Sequence, residues 1–141
     1  MFASFARARS GAGVKEAETM KVLDSLVEMV RVVHALAGKV AQHDRDLAQQ
    51  MKRASTSVAL NGSEGVWAEA GKRRSRLEDA VNSARETLMA LRVAGACGYL
   101  PAVEAAAAVK EVDSVIAVLW TLAYKRCASA AWTGVGEHGA S

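Results

Sequence analysis

The stretch Val22-Leu-Asp-Ser-Leu26-Val-Glu-Met29-Val-Arg-Val-Val33-His-Ala-Leu36-Ala-Gly-Lys-Val40 returns an apolar side chain at alternating steps of four and three. That period places Val22, Leu26, Met29, Val33, Leu36 and Val40 on one face of an α-helix. Leu23, Val27 and Val30 widen the face on one flank, beyond what a single seam needs. A helix over residues 16–41 is predicted, with spare apolar width that points to burial against copies of the same chain.

The pattern repeats outward from this helix. Gln42-His43-Asp44 forms a connection, and Asp44 is placed to cap the next helix, whose seam is Leu47, Met51, Ala54 and Val58. Gly62 and Gly65 each cost about 1 kcal/mol in a helix interior, so this helix is expected to end or kink there. A third helix follows Gly71 through Leu77, Val81, Ala84, Leu88 and Leu91, and stops at Gly95 or Gly98. Tyr99-Leu100-Pro101 turns the chain, and proline suits the first position of a fourth helix carrying Val109, Val112, Ile116, Leu119 and Ala123. No strand pattern occurs. The fold class is all-α: an antiparallel up-down-up-down four-helix bundle over residues 16–131. Residues 1–15 are expected to form a flexible basic arm, and residues 132–141 a disordered tail.

The composition agrees. The chain has 141 residues, enough for one core. Hydrophobic residues make up 51% but aromatics only 5%, so Ala, Val and Leu fill that core. Net charge is only +3, yet residues 50–100 hold eight basic side chains against five acidic. Within that region Lys72, Arg73, Arg74 and Arg76 crowd the start of the third helix. Clustered positive charge is the footprint of an anionic partner, and these four residues are the expected contacts to RNA or DNA. The alternative is a solvated helix face. Few aromatics argue against stacking on single strands.

A second pattern runs beside the apolar seams. Gln50, Arg53, Ser57, Asn61 and Glu64 share one face of the second helix, and Arg76, Asp79, Ser83 and Glu86 one face of the third. The stripes are expected to meet as a structural polar network of Arg53, Ser57, Asn61, Glu64, Ser83 and Glu86, with Arg53 paired to a carboxylate such as Glu86. Such a network fixes helix register more than it adds stability.

Catalytic and cofactor patterns fail. No Glu stands three residues before His34, His43 or His138, so the carboxylate–histidine pairs of di-iron bundles are missing. Gly134-Val-Gly-Glu-His-Gly139 matches a dinucleotide fingerprint by letter only, since no strand precedes it. No nucleophile has a base nearby. An enzyme, a metal and a cofactor are not expected. Cys97 and Cys127 match no metal or redox spacing and are expected to be small buried residues in a reducing compartment. No apolar run reaches membrane-spanning length, and the cytoplasm is the expected location.

Three blocks resemble a known family. They are Gln50-Met-Lys-Arg53-Ala-Ser-Thr-Ser57-Val-Ala-Leu-Asn61-Gly-Ser-Glu64-Gly65, Ala80-Val-Asn-Ser83-Ala-Arg-Glu86 and Gly98-Tyr99-Leu100. They are similar to the bacterial four-helix-bundle proteins encoded within ribosomal-RNA intervening sequences, and to the related accessory variability determinants of diversity-generating retroelements. In this chain Gly62-Ser63 stands where the family has Ile-Ala. The resemblance implies a bundle without a catalytic site that assembles into a ring-like homo-oligomer, a pentamer. It also implies a basic surface for nucleic acid and assistance to a reverse transcriptase. The competing expectation is a purely structural or protein-interaction bundle with no nucleic-acid role.

Overall fold

The structure is a computed structural model that describes the backbone of residues 10–138 and the side chains of residues 15–124. It contains four helices: α1 (Ser10–Val40), α2 (Arg45–Trp67), α3 (Ala70–Ala96) and α4 (Ala102–His138). Among the described residues there is no strand. α1 begins six residues before the predicted start and α4 extends past Ala131. α1 thus takes in residues 10–15 of the expected flexible arm and α4 residues 132–138 of the expected disordered tail, and the rest of both, 1–9 and 139–141, lies outside the described residues.

Connections of two to five residues force consecutive helices to run antiparallel. The first and third connections therefore meet at one end of the bundle. There the His43 ring stacks on Tyr99, with centroids 5.2 Å apart and planes 6° from parallel. Lys39 at the end of α1 bonds both carboxylate oxygens of Glu104 at the start of α4, each at 2.9 Å. The helix ends follow local chemistry. Asp44 is extended, and its side chain accepts a hydrogen bond from the Leu47 amide at 2.9 Å. α3 closes in a left-handed cap. The Tyr99 amide donates to the Ala94 carbonyl and the Gly98 amide to the Gly95 carbonyl, with Gly98 at φ 76°. Pro101 precedes α4, and its carbonyl accepts from the Ala105 amide.

The core is built from the predicted seams. Leu26, Met29, Val33 and Val40 of α1 interlock with Met51 and Val58 of α2, Leu77, Val81 and Leu91 of α3, and Val112 and Leu119 of α4. Alanines 80, 84, 90, 94, 105 and 108 are also buried, which lets the helices approach closely. Val27, assigned to the widened flank of α1, is 65% exposed.

The expected break at Gly62 and Gly65 does not occur. Both glycines are buried inside a continuous α2. A Cβ at Gly62 would stand 2.9 Å from Leu26 Cδ1, and one at Gly65 would stand 2.7 Å from Leu77 Cγ. The packing of neighbouring helices onto the bare backbone outweighs the propensity cost. Cys97 also departs from expectation: it is exposed, because it lies at the end of α3 rather than on its seam.

Gly65→Ala should therefore destabilise the protein by about 1–3 kcal/mol through overpacking against Leu77, despite alanine's better helix propensity. Gly38→Ala, on an exposed α1 position with nothing within 4 Å of the new Cβ, should stabilise it by about 0.5–1 kcal/mol. Urea unfolding of the two variants checks both signs.

Candidate nucleic-acid interface

At 3.6 residues per turn, residues adjacent in sequence point about 100° apart. The basic run at the start of α3 is therefore dispersed rather than gathered. Lys72 is exposed. Arg73 is half-buried and its Nη1 donates to the Val66 carbonyl at 2.9 Å, satisfying one of the last carbonyls of α2. Arg74 turns toward α4: its Nε lies 3.1 Å from Glu78 Oε1, and its guanidinium sits 4.6 Å from the centroid of the Tyr124 ring. Arg76 turns the other way, toward α2, with Nε 3.3 Å from Glu64 Oε2. The four residues expected to form one patch thus serve at least three directions.

The same geometry collects a different set. Arg74, Arg85 and Arg92 are separated by 11 and 7 residues, spacings that return to within about 20° of one face. All three are exposed, and they span about 27 Å at 1.5 Å per residue. Asp79 and Glu86 fall well away from that line, on the side of α3 nearer α2. The stripe follows the seam with α4, where Arg85 lies 5.6 Å from the centroid of the Trp120 ring. Trp120 in turn packs on Tyr124, with centroids 4.2 Å apart at 41°. The Tyr124 hydroxyl donates to Glu78 Oε1 at 2.6 Å. Counting charges along the chain missed this stripe. The spacing 74, 85, 92 was the signal that could have found it.

Between α2 and α3 the polar stripes meet only in part. The Ser57 and Ser83 hydroxyls are 2.9 Å apart, and Asn61 Nδ2 donates to Ser57 Oγ at 3.0 Å. Thr87, fully buried, donates to the Ser83 carbonyl of its own helix. The Ser57–Ser83 contact and the Arg76–Glu64 pair cross-link the two helices. Arg53 and Glu86, expected to pair, are both exposed and form no ion pair with each other. An open groove of about 510 Å³ lies over this seam, lined by Lys52, Arg53, Thr56, Asn61, Glu64 and Arg76. His34 bridges α1 to α2 through Nε2, 3.1 Å from Thr56 Oγ1.

On the opposite side, α1 and α4 pack least closely of the neighbouring helices. An apolar groove of about 370 Å³ opens between them, floored by Val22, Leu26, Val115, Val118 and Leu119. Among the described residues no group of three or more His, Cys, Asp or Glu is arranged to hold a metal ion. No helix, within those residues, is long and apolar enough to cross a membrane.

Four antiparallel helices, a polar α2–α3 seam and an arginine stripe on α3 define a small helical-bundle protein whose distinctive chemistry lies on its surface. The family model for the 23S rRNA-intervening sequence protein matches residues 18–121, and the chain belongs to that family. No curated protein and no solved structure matches it.

The carboxyl of Glu78 is held below its ordinary range, first by the Tyr124 hydroxyl and then by Arg74. A depressed folded-state value contributes stability above the unfolded value, and that contribution disappears as pH falls through the folded one. The wild-type protein should therefore lose stability through this group only in acid, below about pH 4.3. Glu78→Gln should flatten that part of the curve, as read by urea midpoints between neutral and acid pH.

Proposed function

We propose that this protein is a non-catalytic, self-associating helical bundle that binds RNA or DNA by phosphate neutralisation. The observation that carries the reading is the stripe of Arg74, Arg85 and Arg92 along one exposed face of α3. Guanidinium groups in a line fix a nucleic-acid backbone without reading its sequence. Membership of a family named for an rRNA intervening sequence is consistent with this chemistry. The likeness to retroelement accessory determinants extends it to assistance of a reverse transcriptase, and that extension rests on the resemblance alone.

Self-association into a ring, a pentamer by the same resemblance, is supported by the apolar groove between α1 and α4. Val118 lines that groove and is 41% exposed. A second reading, a purely structural or protein-binding bundle, is favoured by the way Arg73, Arg74 and Arg76 are engaged within the chain.

Two experiments separate these readings. Binding to fluorescent duplex and single-stranded RNA and DNA, titrated with salt, should be micromolar and fall steeply as salt rises. In the Arg85→Gln/Arg92→Gln variant the logarithmic slope on duplex should be shallower by about 0.9 for each phosphate that is no longer neutralised. No binding at low salt by the folded protein would overturn the nucleic-acid reading in favour of protein partners. Light scattering should give a mass several times the protomer's 14.9 kDa. Val118→Glu should move that mass toward a single protomer while helicity is kept. A monomeric wild type would overturn self-association.

A further inference from the structure

Trp120, like Trp67 at 68%, is exposed on this surface. It is 45% exposed in a chain with only three tryptophans, although an indole is the largest apolar side chain available for burial. It stands among cations. Arg85 lies 5.6 Å from its centroid, and Tyr124, against which it packs, carries Arg74 at 4.6 Å. The two aromatic rings and two guanidiniums alternate along the α3–α4 seam, joined by Glu78 beneath Tyr124. Arg92 continues the arginine line seven residues beyond Arg85.

We propose that Trp120 is a base-stacking platform, and that the α3–α4 seam binds unpaired nucleotides of single-stranded RNA or DNA. The proposal rests on the nucleic-acid reading above and makes it specific. An exposed indole offers a flat π surface that any nucleobase can stack on, and the neighbouring guanidiniums supply contacts to the flanking phosphates. Glu78 accepts from Arg74, and Asp113 shares the Trp120 face of α4 at a seven-residue spacing, so the net charge along the seam is small. These acids offset part of the arginines' attraction for phosphate, and stacking adds to what remains. Bases inside a duplex are already stacked on their neighbours and cannot reach a ring seated between two helices. The seam therefore selects strands whose bases are free.

The two grooves of the bundle are less suited to a single strand. The α2–α3 groove has mixed charge and offers no exposed ring among its lining residues. The α1–α4 groove is apolar with Asp24, Glu28 and Glu111 on its walls, a lining that repels phosphate.

The test uses the full chain with Trp67→Phe and Trp132→Phe, leaving Trp120 as the fluorescent reporter. Short oligouridylate and oligothymidylate of about a dozen nucleotides should quench it saturably, and a duplex of matched length should not. In the otherwise unchanged chain, Trp120→Ala should weaken single-strand binding by about tenfold or more, as expected when one base–aromatic stack is removed. Trp120→Phe, which keeps a ring, should restore most of it, and duplex binding should be unchanged in both. Absence of quenching by strands that do bind would overturn the proposal without relying on the alanine variant's folding. Equal weakening of single-strand and duplex binding would overturn it too, by making Trp120 a structural brace between α3 and α4. If duplex binding with a steep salt dependence persists in either case, the nucleic-acid reading survives. If neither form binds at low salt, both fall together.

Discussion

The closeness of α2 to its neighbours at Gly62 and Gly65 sets the spacing of the bundle. Leu77 of α3 rests against the bare backbone at Gly65, while Leu26 of α1 and Leu119 of α4 converge on Gly62. Glycine inside a helix is unfavourable by itself, yet here it lets three large side chains fill space that a methyl group would occupy. The buried alanines extend the same economy of volume along α3 and α4. With interhelix distances so short, the α2–α3 seam brings Ser57 and Ser83 to 2.9 Å. Such a pair of hydroxyls meets in only one register, so apolar packing sets the distance and the polar contact sets the alignment.

Local chemistry made much of this legible beforehand. The four-and-three spacing of α1, the Asp44 cap and the stop near Gly98 each depend on a few consecutive residues, and all are present as predicted. The break at Gly62 was wrongly expected because helix propensity counts the cost of glycine and is blind to the partner that approaches it. Cys97 was placed inside on the strength of its residue type, whereas its position at a helix end decided its exposure.

The candidate interface was less legible for a geometric reason. Reading Lys72, Arg73, Arg74 and Arg76 as a patch treats the chain as a line, while a helix sends neighbours to different faces. Three of those side chains instead tie α3 to α2 and α4 through Val66, Glu64 and Tyr124. The meeting of Arg85 with Trp120 depends on how α3 registers against α4, far along the chain. Neither helix carries that information alone. The expected Arg53–Glu86 pair is absent for a related reason: the stripes meet at Ser57 with Ser83 and at Glu64 with Arg76, while Arg53 and Glu86 stay exposed.

The stack of His43 on Tyr99 and the Lys39–Glu104 pair fasten α1, α2, α3 and α4 together at one end. Toward the other, among the described residues, the short α2–α3 turn and the contacts of Arg74 and Glu78 with Tyr124 join neighbouring helices, while α1 and α4 are the least closely packed neighbouring pair. Among the described residues the bundle is thus fastened asymmetrically, closed by polar and stacking contacts at one end and left open along the apolar α1–α4 groove.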